Sequence, residues 1–325
     1  MSESQFVNND SSSKSGISTS VNKKCLIFLC TYNGEKYLSK QLDSVLGQEG
    51  VETYISVTDD CSIDSTISIL EEYKNKYPTR IFYSINDHNK KFAYNFLDNM
   101  FSSKNTDYDY YAFCDQDDVW EKNKILSAIN LILNNPSENG TLYCSNLKVV
   151  DEDLNYLGMQ ENESIIKKTN KITFLFENIA TGCTIVMDNK FYHHCISYYP
   201  KDIKCHDYWV FMVAAYTARF VYDINGYILY RQHGSNQIGS KVQKKKHPFK
   251  KISKFFKAKT FHDVLARELI NGFDEYLNIE DRKNLITLRD YKKKLRCKLK
   301  IIFSRKYRKR RHNLSLKIKI LFNKI

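Results

Sequence analysis

The 325-residue sequence predicts an α/β protein, a mostly parallel sheet flanked by helices, with a basic helical tail at its C-terminal end. Three observations carry that expectation. Short continuous apolar runs such as Cys25–Cys30 and Tyr110–Cys114 read as strands buried on both faces. Between them apolar residues recur at helical spacing, and strand alternating with helix is the pattern of parallel strands joined by right-handed crossovers. Charge is also divided: residues 1–243 carry 23 Lys and Arg against 30 Asp and Glu, residues 244–325 carry 27 against 7, and the whole chain nets +13.

Residues 1–22 are rich in Ser and Asn, lack periodicity and are expected to form a disordered leader. The main domain is expected over residues 23–240. Cys25–Cys30 is its first strand, followed by a helix marked by Leu38, Leu42, Val45 and Leu46. Tyr54–Val57 reads as a second strand, and Ile63–Tyr73 as a helix with Ile67, Leu70 and Tyr73 on one side. Ile81–Ile85 is a third strand, a helix runs through Phe92, Phe96 and Met100, and Tyr110–Cys114 is a fourth strand. Beyond Leu142 the pattern is less regular. Thr181–Asp188 reads as a strand, and His206–Ala218 as an apolar helix too short to cross a bilayer. Phe220–Asp223 and Tyr227–Tyr230 read as a strand pair closing around Asn225-Gly226, a hairpin-turn signal.

Composition excludes several classes. With 42% hydrophobic and 27% charged residues the chain is not wholly disordered, and 11 Gly and 4 Pro exclude collagen-like and Pro-rich proteins. Nine Cys, none in a Cys-x-x-Cys pair, sit mostly beside apolar residues as buried thiols do, which points to a reducing cytosol. The N-terminus lacks the basic and apolar regions of a secretory signal, and no run reaches the length of a spanning helix, so export is not expected.

Ligands of such sheets bind beyond the carboxyl ends of the strands. Three strand ends carry polar clusters: Thr31-Tyr32-Asn33, Asp59-Asp60, and Asp115-Gln116-Asp117-Asp118. The last is the strongest signal. At about 5 Å and an effective dielectric of about 20, each carboxylate pair repels by roughly 3 kcal/mol, which solvent, a basic neighbour or a divalent cation must offset. All-oxygen ligands favour Mg²⁺ or Mn²⁺, which complete their shell with phosphate oxygens. The alternatives are a solvated acidic turn, or Asp118 capping the following helix. Asp59 and Asp60 suit the donor groups of a nucleobase or ribose, while Ser62 suits a helix cap. Neither Gly-x-Gly-x-x-Gly after the first strand nor Gly-x-x-x-x-Gly-Lys-Ser/Thr occurs, which counts against the usual dinucleotide cradle and against a P-loop.

Five motifs in order carry a resemblance: Cys30-Thr-Tyr-Asn-Gly34, Thr58-Asp-Asp-Cys-Ser-Ile-Asp-Ser-Thr66, Phe113-Cys-Asp-Gln-Asp-Asp-Val-Trp120, His206-Asp-Tyr-Trp209 and Tyr230-Arg-Gln-His-Gly-Ser-Asn236. Over about residues 23–240 the chain resembles family 2 glycosyltransferases of the GT-A (Rossmann-like) fold, and is most similar to their rhamnosyltransferase-like branch. The resemblance implies an inverting, metal-dependent transfer of a sugar, rhamnose in this branch, from a nucleotide-diphosphate donor to a polysaccharide or lipid-linked oligosaccharide. It implies that Thr31, Tyr32, Asn33 and Asp60 contact base and ribose, and that Asp115 lies near the ribose. Asp117 would hold the metal, with His233 completing its shell, and Asp207 would be the catalytic base. On the residues alone other roles stay open. Asp207 suits the first turn of a helix, His233 an ordinary loop, Arg231 either the diphosphate or a local carboxylate, and Trp120 and Trp209 core packing. One departure stands out: Asn86–Asn95 lacks the glycine of the family's Asn-x-Gly stretch, so the backbone path there is open.

The tail, residues 241–325, is expected to be helical. Residues 291–325 hold 15 Lys and Arg and no acid, with Leu295, Leu299 and Ile302 on one helical face and Leu314, Ile318 and Leu321 on another. Basic and apolar sides together fit an anionic membrane surface, and an acidic body without a nucleic-acid motif argues against nucleic acid. The expected place is the cytoplasmic side of the cell membrane, peripherally bound. The other class of reading is a catalytically silent sugar-nucleotide-binding or scaffolding protein.

Overall fold

The computed structural model describes residues 6–7, 23–160, 171–234, 261–304, 306–307 and 313–323. Ten strands make one sheet: β1 (Phe6–Val7), β2 (Lys24–Thr31), β3 (Glu52–Asp59), β4 (Ile81–Ile85), β5 (Tyr110–Cys114), β6 (Val119–Trp120), β7 (Thr141–Val150), β8 (Tyr156–Met159), β9 (Val186–Asp188) and β10 (Arg219–Arg231). Their spatial order is β1-β10-β7-β9-β5-β2-β3-β4, with β6 against β10 and β8 against β7. β4, β3, β2 and β5 run parallel, and so do β7 and β10; β9 is antiparallel to both of its neighbours, β5 and β7. Within the expected leader, Phe6 and Val7 pair with Tyr222 and Asp223 along the edge of β10; its other residues lie outside the described ones.

The first apolar run shows why the sheet is buried on both sides. Along β2 successive side chains point to opposite faces: Cys25, Ile27 and Leu29 enter one core, Leu26 and Phe28 the other. Helices α1 (Leu38–Leu46), α2 (Thr66–Lys76) and α4 (Lys124–Leu133) cover the first. The second lies under α3 (Lys91–Ser102), α5 (Lys171–Phe174), α6 (Asn189–Cys195), α7 (His206–Thr217), α8 (His262–Phe273), α9 (Ile279–Asp290), α10 (Leu295–Phe303) and α11 (Asn313–Leu321). Every residue of α7 is buried, which is why it is apolar on all sides beyond its first turn, from Tyr208 to Tyr216; no helix among the described residues is long and apolar enough to cross a membrane. Residues 241–260 of the expected tail lie outside the described ones. From Phe261 on, Leu265, Leu269, Phe273, Leu288, Ile301 and Ile320 enter the same core as Trp209 and Phe211.

Four expectations are corrected. The Ile63–Tyr73 helix starts at Thr66, with Ile63 exposed and the Asp64 carboxylate accepting from the Thr66 N–H at 3.0 Å; Ser62 instead bonds Asp59. Asp118 does not cap the following helix, which begins at Lys124. Thr181–Asp188 is a strand only from Val186: a 3₁₀ turn over Gly182–Thr184 precedes it, closed by the Thr184 hydroxyl on the Thr181 carbonyl at 2.7 Å. Most consequentially, Asn225-Gly226 makes no hairpin. Residues 219–231 are one strand parallel to β7, with register shifts on either side of Gly226. Asp223 accepts from the Asn225 N–H and side-chain amide, both at 2.9 Å, and buckles the strand into a bulge. A Cβ on Gly226 would meet the Leu147 backbone at 3.0 Å, so the glycine serves close approach of strands and not a turn. Helix α4 and the full length of β7 are additions to the expected elements.

At the departure from the family pattern, Lys91 adopts φ +65°, the left-handed conformation a glycine takes freely. The buried Asp60 carboxylate holds it there, accepting from the N–H groups of Lys90 (2.7 Å) and Lys91 (2.9 Å). A side chain in that conformation costs roughly 1–2 kcal/mol, of which glycine's extra unfolded-state entropy takes back about 0.5–1 kcal/mol. Lys91→Gly is therefore expected to stabilise the fold by about 0.5–1 kcal/mol in urea denaturation. Lys91→Ala, which keeps the Cβ, is expected to leave the midpoint where it is.

Candidate active site

Parallel pairing sets the carboxyl ends of β2, β3 and β5 side by side, with Thr31 opposite Asp59 and Leu29 opposite Cys114. The loops that follow are tied to one another. Gln116 spans to the Tyr32 backbone, accepting from its N–H at 2.8 Å and donating to its carbonyl at 3.1 Å. A Cβ on Gly34 would lie 2.5 Å from the Gln116 amide oxygen, so glycine makes that clamp possible. Thr31 donates its hydroxyl to Asp59 at 2.7 Å; Asn33, at φ +48°, donates its N–H to Ser62 and accepts from the Ile63 N–H. Asp60 accepts from Asn86 Nδ2 at 3.0 Å as well as from Lys90 and Lys91. Of the four residues expected at the base, Thr31, Asn33 and Asp60 thus have side chains built into the loops, and Tyr32 presents an exposed ring.

The acidic turn after β5 is compensated residue by residue. The Asp117 carboxylate pairs with His233 Nε2 at 2.7 Å, and Tyr37 packs against the imidazole with ring centroids 5.0 Å apart. Asp118 is buried; its Oδ1 accepts from the Arg231 N–H at 3.0 Å, and its Oδ2 has no hydrogen-bond partner among the described residues. Burial, then Asp117 and Asp115, push the Asp118 carboxyl well above the carboxylate range. Burial pushes Asp115 up to about 7, and the charges of Asp117 and Asp207 add to it. Asp115 is therefore the electrostatic link between the acidic turn and Asp207, and the Cys30 thiol, raised chiefly by burial, feels Asp115 and Asp60 together.

Asp207 sits in the first turn of α7, accepting from the Gly182 N–H at 3.2 Å and from the Tyr208 N–H; burial raises its pKa against the pull of these bonds. Arg231 is buried. Its guanidinium donates to the backbone carbonyls of Asp117 (2.9 Å) and Glu152 and lies over Tyr37, 4.4 Å from the ring centroid. It braces the turn through these two carbonyls. Trp209 is core, as expected. Trp120 is core too, with the ammonium of Lys124 over its indole at 3.5 Å.

Two residues were not singled out from the sequence. Buried Lys124 has no hydrogen-bond acceptor among the described residues; burial lowers its pKa to about 8, and neighbouring thiols and Asp118 pull the other way. Cys183 places its thiol with carboxylate oxygens of Asp115 and Asp118, all within 4.8 Å of one another. Neither has a local signal, since Cys183 reaches the turn only through the 3₁₀ turn before β9. The orphaned Asp118 oxygen, this cluster and the Asp117–His233 pair form an oxygen-rich donor set that fits a divalent cation.

The sequence profile of the family described as Glycosyl transferase family 2 matches residues 26–195, from β2 through α6. The chain belongs to the family 2 glycosyltransferases. This glycosyltransferase is 32% identical over 228 residues to a protein named dTDP-rhamnosyl transferase RfbG from Shigella flexneri, covering 66% of this chain and 74% of that one. It is 30% identical over 173 residues, half of this chain and 59% of the relative, to the UDP-Glc:alpha-D-GlcNAc-diphosphoundecaprenol beta-1,3-glucosyltransferase WfgD of Escherichia coli. Its GT-A fold is shared with the S. aureus TarS 1-349 crystal structure (TM-score 0.52, 19% identity, 87% of this chain and 75% of that one). It is shared as well with the mannosyltransferase PcManGT from Pyrobaculum calidifontis, solved in complex with GDP-Man and Mn²⁺ (TM-score 0.52, 11% identity, 93% and 88% covered). Asp207, Arg231 and His233 lie beyond the profile match, and the fold alone brings them to the acidic turn.

The raised Asp115 carboxyl gives the glycosyltransferase a pH-dependent stability. Unfolded, it ionises near about 4; folded, it keeps its proton to about 7, so it favours the folded state below about 4 and loses that contribution as pH rises through about 7. In chelator, the melting temperature is expected to fall between pH 5 and 8, and millimolar Mn²⁺ at pH 8 is expected to restore it. A flat profile in chelator would remove Asp115 as a strained acid.

Proposed function

We propose that this glycosyltransferase moves rhamnose, with inversion, from a dTDP-activated donor to a polysaccharide or lipid-linked oligosaccharide at the cytoplasmic face of the cell membrane. The observation that carries this reading is the Gly182–Thr184 turn, whose Gly182 N–H bonds Asp207 while its Cys183 thiol lies within 4.8 Å of carboxylate oxygens of Asp115 and Asp118, so that one segment bridges the acidic turn and Asp207. Identity to the Shigella flexneri protein supports the donor, and the E. coli relative supports a lipid-linked acceptor.

The roles follow from the chemistry of each group. Asp117 and His233 would hold Mg²⁺ or Mn²⁺, with Asp115 and Asp118 behind them. The cation, when bound, neutralises charge that develops on the leaving diphosphate. Asp115 would lie near the donor ribose and the exposed Tyr32 ring would meet the base, with Thr31, Asn33 and Asp60 shaping the loops around it. Arg231 keeps the Asp117 carbonyl, and with it the turn, in place. Asp207 takes the proton of the acceptor hydroxyl. Burial makes its ionised form a stronger base, and the Gly182 and Tyr208 N–H groups orient the carboxylate without using all of its lone pairs. The hydroxyl oxygen then attacks the anomeric carbon as the bond to the diphosphate breaks, in one displacement without a covalent sugar–enzyme intermediate.

Asp207→Asn is expected to fold, melting no lower than the wild type at neutral pH because it removes a carboxylate whose ionisation burial opposes, and to lose about 10²–10⁴-fold in kcat. Because the base must be ionised and burial raises its pKa, kcat/KM is expected to fall on acidification, with its limb above the ordinary carboxylate value of about 4. Full turnover by the folded Asn variant would remove Asp207 as base. A nucleotide-sugar panel with and without metal tests the donor: chelator-sensitive release of dTDP from dTDP-rhamnose, above release from UDP- and GDP-sugars, is the expected result.

A further inference from the structure

The two C-terminal helices each carry two faces. Ile301 and Ile302 of α10, and Leu316 and Ile320 of α11, are buried in the core shared with α7 and α8. On the same helices Leu295 (69% exposed) and Phe303 (76% exposed) stand in solvent, with Leu299, Ile318 and Leu321 exposed beside them. Leu295, Leu299 and Phe303 follow one another every four residues, so they form a stripe along α10. Around the stripe lie exposed Lys293, Arg296 and Lys317, in a segment, residues 291–325, with 15 Lys and Arg and no Asp or Glu. Ile302, expected to share a helical face with Leu295 and Leu299, is buried, and Phe303 continues the exposed stripe instead.

An apolar stripe facing water normally marks a binding surface, and its chemistry indicates what covers it. Neighbouring elements hold three lysines of the segment, Lys292 by Asp263, Lys294 by Asp290 and Lys306 by Glu280, yet 15 Lys and Arg leave the surface basic on balance, which repels a second copy of itself and attracts an anionic surface. Five aliphatic and aromatic side chains on packed helices match the shallow burial of an interfacial helix, about 5–10 Å into the headgroup region. We infer that α10 and α11 form a preformed membrane-docking edge, in which Leu295, Leu299, Phe303, Ile318 and Leu321 enter an anionic bilayer while the surrounding Lys and Arg meet its phosphates. The inference deepens the membrane-face reading given above by naming the surface and its partner, and it is independent of the sugar transferred. Because α10 and α11 are already folded against the core, docking orders no new segment.

Flotation of the full chain with phosphatidylglycerol-containing vesicles, with pure phosphatidylcholine vesicles as the second arm, tests it. The wild type is expected to float with the anionic vesicles, to be released by high salt, and to stay behind with the neutral ones. The variant Leu295→Ser/Leu299→Ser/Phe303→Ser is expected to lose vesicle partitioning by about tenfold or more, with melting temperature and donor turnover in vesicle-free solution unchanged. Turnover measured this way separates failure of docking from failure of the glycosyltransferase reading. Equal flotation of variant and wild type overturns the inference, as does equal binding to neutral vesicles. Displacement from the vesicles by duplex DNA would assign the surface to nucleic acid instead. A wild-type dimer abolished by the substitutions, with flotation intact, would assign it to a second copy.

Discussion

Asp115, Asp117 and Asp118 leave the end of β5 within four residues of chain, and their mutual repulsion in a half-buried cleft must be offset before that sheet edge can exist. The molecule answers each carboxylate differently. Asp117 pairs with an imidazole, Asp118 takes a backbone N–H from β10 and lies in the field of the buried Lys124, and Asp115 is pushed toward its protonated form. Two of these answers come from Arg231 and His233, more than a hundred residues along the chain, so β10 must reach the carboxyl edge of β5. The bulge at Asp223–Gly226 lets one strand follow β7 for its whole length and deliver both residues there.

The same requirement explains the other side of the cleft. Helix α7 is buried all round, and its first turn carries Asp207. A carboxylate in that position is stabilised by the helix N-terminus and by the Gly182 N–H, yet burial still raises its proton affinity. Gly182 begins the short 3₁₀ turn that also aims Cys183 at the acidic turn, so one irregular segment before β9 places both halves of the site. Helices α8 to α11 extend the core over α7, and charge that looks like a detached tail in the sequence becomes one surface of the folded body.

Local patterns were legible where a residue's environment is decided by its neighbours in sequence. The Cys25–Cys30 run is buried on both faces because alternation sends its side chains into two cores, and Ile81–Ile85, Tyr110–Cys114 and the α3 helix stand where periodicity places them. Asn225-Gly226 misled because a hairpin and a bulge use the same residues, and only the approach of Leu147 distinguishes them. Arg231 reads as an anion ligand by type, and only the fold shows that its guanidinium also binds the backbone carbonyls of Asp117 and Glu152. Lys91 reads as the loss of a glycine, yet Asp60 holds its backbone in the glycine conformation.

By itself the sequence determined the order of strands and helices through β5, the acidic motifs at their ends, the family, and the basic character of the C-terminal segment, because each is a property of composition or of contacts a few residues apart. The tertiary structure alone decided which of those residues face one another: that Asp117 meets His233, that Asp115 feels Asp207, that Asp60 is spent on α3, and that Phe303, not Ile302, faces water. Burial and long-range pairing set protonation, hydrogen bonding and exposure, and no local pattern encodes them.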